Sequence, residues 1–199
     1  MKLHTITISG IPGSGKSSTA DTVAMRLGYS RFSSGDFMRK LAQSRGVSVD
    51  GLRALAEQDH TIDQQIDTEV QRVGLSGNIV IDSRLGYHFL PDSFKVFLSL
   101  DPETSAQRAV EHLVQVGAPA DDGQLLRDTL QKITDRIASE KQRHLATYGV
   151  DFTNAANYDL IVDTNAHSLD ETVEMILAAY NVWSNERQQP PTPTGTPLA

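Results

Sequence analysis

The feature that most constrains this chain is a glycine-rich stretch near its start, GIPGSGKS at residues 10–17. It follows the short apolar and β-branched run LHTITIS, which predicts a buried strand. After it, apolar residues recur at helical spacing until Gly28 ends the pattern. A glycine-rich loop between a strand and a helix can direct its backbone N–H groups at a phosphate chain, aided by the helix dipole.

The spacing G-x-x-x-x-G-K-S gives most positions of this loop a physical role. Gly10, Gly13 and Gly15 permit backbone angles and close approaches that a side chain would prevent. Lys16 would reach the β- and γ-phosphates of a nucleotide, and the Ser17 hydroxyl would hold Mg²⁺. A plain Gly/Ser turn followed by a lysine is the alternative, and the order of strand, loop and helix disfavours it.

Composition narrows the class of protein. The chain has 199 residues and no cysteine, so we expect one domain without disulfides or cysteine–metal sites. The apolar run at the start is broken by His4 and threonines, so we expect no signal peptide, no membrane contact and a cytoplasmic location. The net charge of −7 argues against nucleic-acid binding by the surface as a whole, which makes local arginine clusters more informative.

Strands and helices alternate along the rest of the chain. We predict further strands at 29–34, 78–83, 95–100 and 159–164, and helices at 36–45, 48–57, 61–74, 102–116, 124–147 and 168–184. This α/β pattern indicates a parallel sheet with helices on both faces, and such sheets bind ligands at the carboxyl ends of their strands. The segment 185–199 is rich in Pro, Thr and Gln, and we predict that it is a disordered tail.

Polar residues stand where the predicted strands meet the helices. Ser34 ends the second strand, and Arg39 lies on the next helix, where its guanidinium could bind a second phosphate. Asp82 ends the third strand and could order the water shell of Mg²⁺, with Arg84 two residues on. Each arginine alone is equally compatible with a solvated surface, but two at one edge favour a phosphate site.

A basic stripe follows on the helix predicted at 124–147. Lys132, Arg136 and Arg143 fall within about 40° of each other at 100° per residue. Glu140 lies near them, so a salt-bridged helix face is a fair alternative. The preceding segment VGAPADDG, 116–123, is rich in small and acidic residues, which together with the stripe is typical of a closing lid.

These segments together resemble the nucleoside monophosphate kinases, and most closely the archaeal-type cytidylate kinases. The resemblance covers about residues 6–180 and is carried by ISGIPGSGKSS, FSSGDFMRKLAQSRG, DHTIDQQIDTE, IDSRLGYHF, DRIASEKQRHLATYGVD and YDLIVDT. The first segment is general to P-loop enzymes, and SSGDFMR is also similar to adenylate kinases. IDQQID and the pattern R-x₆-R-x₄-YG-x-D from Arg136 to Asp151 are more specific to the cytidylate group.

The resemblance implies a P-loop kinase fold with a five-stranded parallel sheet of order 2-3-1-4-5. The kinase domain would span 1–184, with an acceptor-binding region at about 34–75 and a lid at about 117–143. The enzyme would be a monomer that transfers phosphate from ATP, with Mg²⁺, to a nucleoside monophosphate. The acceptor would be CMP or dCMP, as in the cytidylate kinases that the chain resembles. AMP, UMP or another small acceptor stays open.

The resemblance also implies roles for individual residues on the donor side. The donor phosphates would lie on the loop and the first turn of its helix, at Gly10, Gly13, Ser14, Gly15, Lys16, Ser17 and Ser18. Arg108 matches a position near the ATP base, although a surface helix arginine is equally compatible. Three cations would surround the transferred phosphoryl group: Lys16, Arg136 and Arg143.

On the acceptor side, Ser34, Arg39 and Arg84 would bind the acceptor nucleotide, and Ser17 and Asp82 would hold the metal. Asp63 and Asp67 lie four residues apart on one helix and could accept a hydrogen bond from an exocyclic amino group, although a solvated acidic face is an alternative.

Two functions of other classes remain open. A regulatory GTPase would need an N-K-x-D motif after a late strand, where this chain has DTNAH. A nucleotide-binding module without turnover would be expected to lack the arginines named above, and all of them are present.

Overall fold

The computed structural model describes residues 4–117 and 123–188, and at its centre lies a five-stranded parallel sheet of order β2-β3-β1-β4-β5. The strands are β1 (Thr5–Gly10), β2 (Ser30–Ser33), β3 (Ile79–Asp82), β4 (Phe94–Ser99) and β5 (Leu160–Asp163). The predicted α/β class and strand order are confirmed.

Helices connect the strands and cover the sheet. They are α1 (Lys16–Leu27), α2 (Ser34–Ser44), α3 (Val49–Ala56), α4 (Thr61–Gly74), α5 (Gly86–Phe89), α6 (Pro102–Gln115), α7 (Gln124–Tyr148) and α8 (Leu169–Gln188). The short helix α5 and a 3₁₀ turn at Ala155–Asn157 were not predicted, because neither is long enough to show a period. None of the helices in the two described ranges is long and apolar enough to cross a membrane.

Most predicted bounds differ from the observed ones by one or two residues, and two of the differences change how a segment is described. Strand β2 ends at Ser33, whose side chain accepts a hydrogen bond from the Asp36 N–H at 3.3 Å and caps α2, so Ser34 is the first helical residue and not the end of the strand. Helix α8 continues to Gln188, past the predicted start of the tail at residue 185. The Arg187 guanidinium lies 4.4 Å from the Trp183 ring centroid in that extension. Residues 189–199 of the tail and 118–122 of the predicted lid lie outside the described residues.

The two faces of β1 have different characters. Ile6 and Ile8 are fully buried on one face, in a core that α1 and α8 complete. On the other face Thr7 bonds to Ser93 at 3.0 Å, and the Ser9 hydroxyl donates to the Arg84 carbonyl at 3.0 Å. The alternation follows from the two-residue period of a strand. It leaves small polar residues on the side where the site lies.

The register of the sheet brings the carboxyl ends of three strands together. Asp82 at the end of β3 is opposite Ile8 of β1 and Ser33 of β2. Residues far apart in sequence therefore meet at one edge, directly above the glycine-rich loop.

Candidate active site

The glycine-rich loop leads from the end of β1 into α1 through three glycines at positive φ. Gly10, Gly13 and Gly15 have φ of +149°, +74° and +79°. A Cβ on Gly10 would lie 2.4 Å from the Leu98 carbonyl oxygen, and a Cβ on Gly13 would lie 2.6 Å from the Ser105 hydroxyl. Glycine is required at both positions, and the loop brings the unpaired N–H groups of the α1 N-terminus to the edge of the sheet.

Lys16 is the first residue of α1, and its ammonium lies among other charges. Its Nζ donates to the Ile11 carbonyl at 2.6 Å. Burial lowers the pKa of Lys16 well below its ordinary value, and the Arg84 guanidinium lowers it further, against the opposing effects of Asp82 and Glu140. A bound anion would favour the charged ammonium, so this environment fits a phosphate.

The remaining loop serines differ from each other. The Ser14 hydroxyl is buried and has no hydrogen-bond partner within the described residues, which fits a loop organised around a further ligand. Ser18 is exposed on the first turn of α1.

Asp82 is buried and links three serines of this edge. Its Oδ2 accepts from the Ser17 hydroxyl at 2.7 Å and from the Ser33 hydroxyl at 3.2 Å, and its carbonyl accepts from Ser34 at 3.1 Å. No cluster of three or more acidic or histidine side chains that could hold a metal occurs in the described residues. Ser17 and Asp82 together match the partial protein shell of Mg²⁺, which otherwise keeps waters and phosphate oxygens.

Two cavities meet above the loop. The first, here the sheet-edge cavity, has a volume of about 320 Å³ and lies between the loop, the ends of β2 and β3, and helices α4 and α7. The second, here the helix cavity, has a volume of about 810 Å³ and lies between α3, α6 and α7. The residues that line both define the junction of the cavities: Pro12, Gly13, Met38, Arg53, Arg136, Glu140 and Arg143.

A buried carboxylate holds two arginines at this junction. Glu140 accepts from the Arg84 Nε at 2.6 Å and from the Arg136 Nε at 2.8 Å. Although burial opposes ionisation, the two guanidiniums keep the pKa of Glu140 well below its ordinary value. Arg84 also donates from one terminal nitrogen to the Gly10 carbonyl at 2.5 Å. Within the described residues Arg136 has no other hydrogen-bond partner, so both of its terminal nitrogens are available to a ligand.

The wall of the sheet-edge cavity is formed by α4 and α7. Asp63 accepts from the Arg143 Nε at 2.6 Å, and Asp67 accepts from the Tyr148 hydroxyl. Both aspartates are buried, so the alternative of a solvated acidic face is wrong. Arg143 pairs with Asp63 instead of Glu140. Of the two arginines, only Arg136 forms the predicted alternative, a salt bridge to Glu140 on the same helix.

The other predicted site residues lie around the rims. Ser34 and Arg39 line the sheet-edge cavity, where Arg39 is paired with Asp36. Arg108 lines the helix cavity and donates to the Thr164 carbonyl at 2.6 Å. Lys132 lines the same cavity.

Sequence reasoning missed several residues of the site. Tyr148, Arg53 and His144 are not predicted as site residues, yet Arg53 and His144 line the sheet-edge cavity and Tyr148 donates to Asp67 in its wall. Arg53 is on α3, where nothing in the sequence distinguishes it from a surface arginine. His144 lies about 80° around the helix from Arg136, outside the basic stripe of α7, so the stripe does not indicate it.

The parallel sheet, the glycine-rich loop and the arginines facing it define a P-loop kinase. The chain belongs to the cytidylate kinase-like family, which its residues 5–166 match. It is 35% identical over 179 residues to the cytidylate kinase of Aeropyrum pernix, covering 85% of this chain and 95% of that protein. It is 34% identical over 179 residues to the cytidylate kinase of Archaeoglobus fulgidus, covering 89% and 94%.

The fold alone extends to more distant kinases. The shikimate kinase of Bacteroides thetaiotaomicron superposes with a TM-score of 0.61 at 14% identity, covering 90% of this chain and 99% of that one. Family and fold together make this protein a nucleotide kinase, and the family implies ATP as the phosphate donor, usually with Mg²⁺.

Proposed function

We propose that the protein transfers the γ-phosphoryl group of ATP to CMP or dCMP, giving the nucleoside diphosphate and ADP. The observation that carries the choice of acceptor is the pair of buried aspartates, Asp63 and Asp67, in the wall of the sheet-edge cavity. The archaeal cytidylate kinases to which the chain is similar support the same choice.

The donor phosphates would lie on the loop from Gly13 to Ser18, with Lys16 directed at the β- and γ-phosphates. Ser17 and Asp82 would hold Mg²⁺, which when bound neutralises part of the phosphate charge. The helix cavity, with Arg108 on its border, would take the base end of ATP. The metal needs no further protein ligand, because phosphate oxygens and water complete its shell.

The acceptor phosphate would lie in the sheet-edge cavity against Ser34, Arg39 and Arg84. Arg84 is already fixed by Glu140 and the Gly10 carbonyl, which spares the entropy of ordering its side chain. Arg39 is exposed and paired with Asp36, and it would turn from that partner towards the phosphate.

The chemical step requires alignment and charge more than acid–base groups. An oxygen of the acceptor phosphate bonds to the γ-phosphorus of ATP while the bond from that phosphorus to the β–γ bridging oxygen breaks and ADP leaves. The acceptor oxygen is already ionised, so no general base is needed. Lys16, Arg136 and Arg143 would surround the moving group, and both arginines bind their carboxylates through Nε, which leaves their terminal nitrogens for phosphate.

The base would be selected by hydrogen bonding at the two aspartates. An ionised Asp63 or Asp67 can accept a hydrogen bond from the cytosine amino group, where uracil presents a carbonyl oxygen. Two acceptors would then face each other, and an unpaired buried polar group costs about 1–3 kcal/mol, which is roughly tenfold to a hundredfold in discrimination. Purines would be disfavoured further by the modest size of the sheet-edge cavity.

The test is ADP release with a panel of monophosphates (CMP, dCMP, UMP, AMP and GMP) at one ATP concentration with Mg²⁺. We expect CMP and dCMP to have the highest kcat/KM by at least about tenfold. If AMP is the best acceptor, the resemblance of SSGDFMR to adenylate kinases is the better guide and the base assignment is wrong. If ATP binds and no monophosphate is phosphorylated, a binding module without turnover replaces the proposal.

A further inference from the structure

Arg53 lies where the two cavities meet. It is on α3, a helix of the predicted acceptor-binding region, and it lines both the sheet-edge cavity and the helix cavity. The two other arginines at this junction, Arg136 and Arg143, come from α7 on the opposite side. Arg53 is therefore the arginine that α3 contributes to the junction, and it faces the pair from α7.

The hydrogen-bonding capacity of Arg53 is largely unused within the described residues. Its Nε is buried and has no hydrogen-bond partner. One terminal nitrogen pairs with Asp50, one turn earlier on α3, whose side chain is 89% exposed. A carboxylate that is so well solvated neutralises a guanidinium weakly. Buried guanidinium nitrogens normally have acceptors, so the unpaired Nε indicates that an acceptor is supplied from outside the chain.

The charges around the junction indicate what that acceptor is. Lys16, Arg84 and Arg136 share the buried carboxylate of Glu140 as a neighbour, and Asp82 is a second buried carboxylate near Lys16. Burial lowers the pKa of Arg136, and after the opposing effect of Glu140 the guanidiniums of Arg84 and Arg53 lower it further. Among the residues that line both cavities there are three arginines, Arg53, Arg136 and Arg143, and one carboxylate, Glu140, so the junction itself carries more cations than anions. A phosphate group would satisfy both the excess charge and the unused donors.

We propose that Arg53 binds phosphate at the junction of the two cavities, contacting the acceptor phosphate and the phosphoryl group in transfer. The inference rests on the proposed transfer between the cavities, but not on which base the acceptor carries. Because the junction lies between donor and acceptor, the contact forms fully when both substrates are present. Arg53 would therefore affect the transfer step more than the binding of ATP alone.

The test compares four variants with the wild type, using whichever monophosphate the wild type phosphorylates best. Arg53→Gln removes the charge, and Arg53→Lys keeps the charge but loses the planar pair of donors. Arg72→Gln is the matched control, because Arg72 forms the same kind of pair with Glu69 three residues earlier on α4 and lies outside both cavities. Asp50→Asn removes the partner of Arg53 and keeps Arg53 itself.

We expect Arg53→Gln to lower kcat/KM for the monophosphate by about 10–100-fold, the usual effect of losing a hydrogen bond to a charged group. Arg53→Lys should recover only part of that loss. The Kd of ATP with Mg²⁺, measured by calorimetry without acceptor, should change less than about threefold, and thermal melting should show all four variants folded. Arg72→Gln and Asp50→Asn should keep wild-type turnover.

Three results would overturn the assignment. Equal loss in Arg53→Gln and Asp50→Asn would make the ion pair on α3 the important feature. An equal loss in ATP binding and in kcat/KM would place Arg53 on the donor alone. Turnover of Arg53→Gln equal to that of Arg72→Gln would make Arg53 a surface residue. The acceptor panel decides the base on the wild type alone, so a wrong base and a wrong role for Arg53 are separate outcomes.

Discussion

The loop side of the site and its helical wall are held together in different ways. The loop side consists of Gly10–Ser17 with Asp82, and its geometry follows from a local turn and from the register of neighbouring parallel strands. The helical wall consists of α4 and α7, and side-chain ion pairs between distant segments hold it, such as Arg143 with Asp63. The geometry of the loop side is determined by the backbone, and the geometry of the wall by charged side chains.

This difference has an energetic consequence. Glycine turns and strand register change little when a ligand binds, so the loop side is a fixed surface for phosphate. Buried ion pairs in the wall are expensive to desolvate, and losing one partner typically costs about 3–5 kcal/mol because the other charge is left unpaired. Truncating the Lys16 side chain on the loop side should therefore affect chemistry without lowering stability, whereas removing a charged partner in the wall should affect both.

The largest effect is expected on the loop side, from Lys16→Ala. Loss of the cation on the transferred phosphoryl group should lower kcat by roughly a thousandfold or more. The melting temperature should stay equal to or rise above that of the wild type, because burial and Arg84 already disfavour the charged ammonium. Steady-state kinetics and a thermal melt on the same preparation check both parts. Turnover within a few-fold of wild type would contradict the assignment of the loop.

The loop side could be predicted from the sequence, and most of the wall could not. The G-x-x-x-x-G-K-S spacing places Lys16 and Ser17 by chain connectivity alone, and alternating strands and helices place Asp82 at the same edge. The partners in the wall depend on how α4 packs on α7, which periodicity does not determine. Thus Arg143 was considered a partner of Glu140 and instead binds Asp63, and the pairing of Asp67 with Tyr148 had no sequence signal.

The second effect tests how the wall positions the arginines. Glu140→Gln keeps the shape of the side chain but removes the charge shared by Arg84 and Arg136. We expect kcat to fall by about tenfold to a hundredfold through misplacement of both guanidiniums, and the free energy of unfolding to fall by about 3 kcal/mol. Glu69→Gln, in an exposed pair on α4, is the control. A variant that loses activity with unchanged stability would show that Glu140 is not the anchor of the wall.

The third comparison separates the two aspartates of the wall. Burial raises the pKa of Asp67 to about 6, with Asp63 adding to the rise and Tyr148 opposing it. Asparagine resembles the protonated acid, so Asp67→Asn should change stability and the KM for the monophosphate only slightly at pH 6 and below. Asp63→Asn leaves the Arg143 guanidinium without its carboxylate, and we expect a loss of about 3 kcal/mol in stability and about a tenfold rise in KM for the monophosphate. Urea denaturation measures the stability and steady-state kinetics measure the KM. Equal effects of Asp63→Asn and Asp67→Asn would show that the two aspartates do not differ in this way.

The smallest effect concerns pH and His144, whose ring packs edge-on against Phe152 with centroids 5.8 Å apart. Burial lowers the pKa of His144 to about 4; Glu140 and Asp63 oppose the shift, while Arg143 and Arg84 add to it. An unfolded histidine has a pKa near 6.5, so the unfolded chain takes up the proton first as pH falls. The stability that neutral His144 contributes is therefore complete above about pH 6.5 and is lost progressively as pH falls towards 4.

Between pH 7.5 and 5.0 this loss should amount to about 2 kcal/mol in the free energy of unfolding. Asp67 works in the opposite direction, because its raised pKa favours the folded state as pH falls from about 6. The pH dependence of the free energy of unfolding in the wild type alone therefore does not isolate His144. The difference between wild type and His144→Gln in this pH dependence does isolate His144, since both proteins keep Asp67. We expect the variant to lose about 2 kcal/mol less over that interval, measured by urea denaturation at the two pH values. His112→Gln, at an exposed position on α6, is the matched control. Parallel slopes for wild type and His144→Gln would mean that the imidazole takes up its proton within the fold, and that the wall tolerates a further cation beside Arg143.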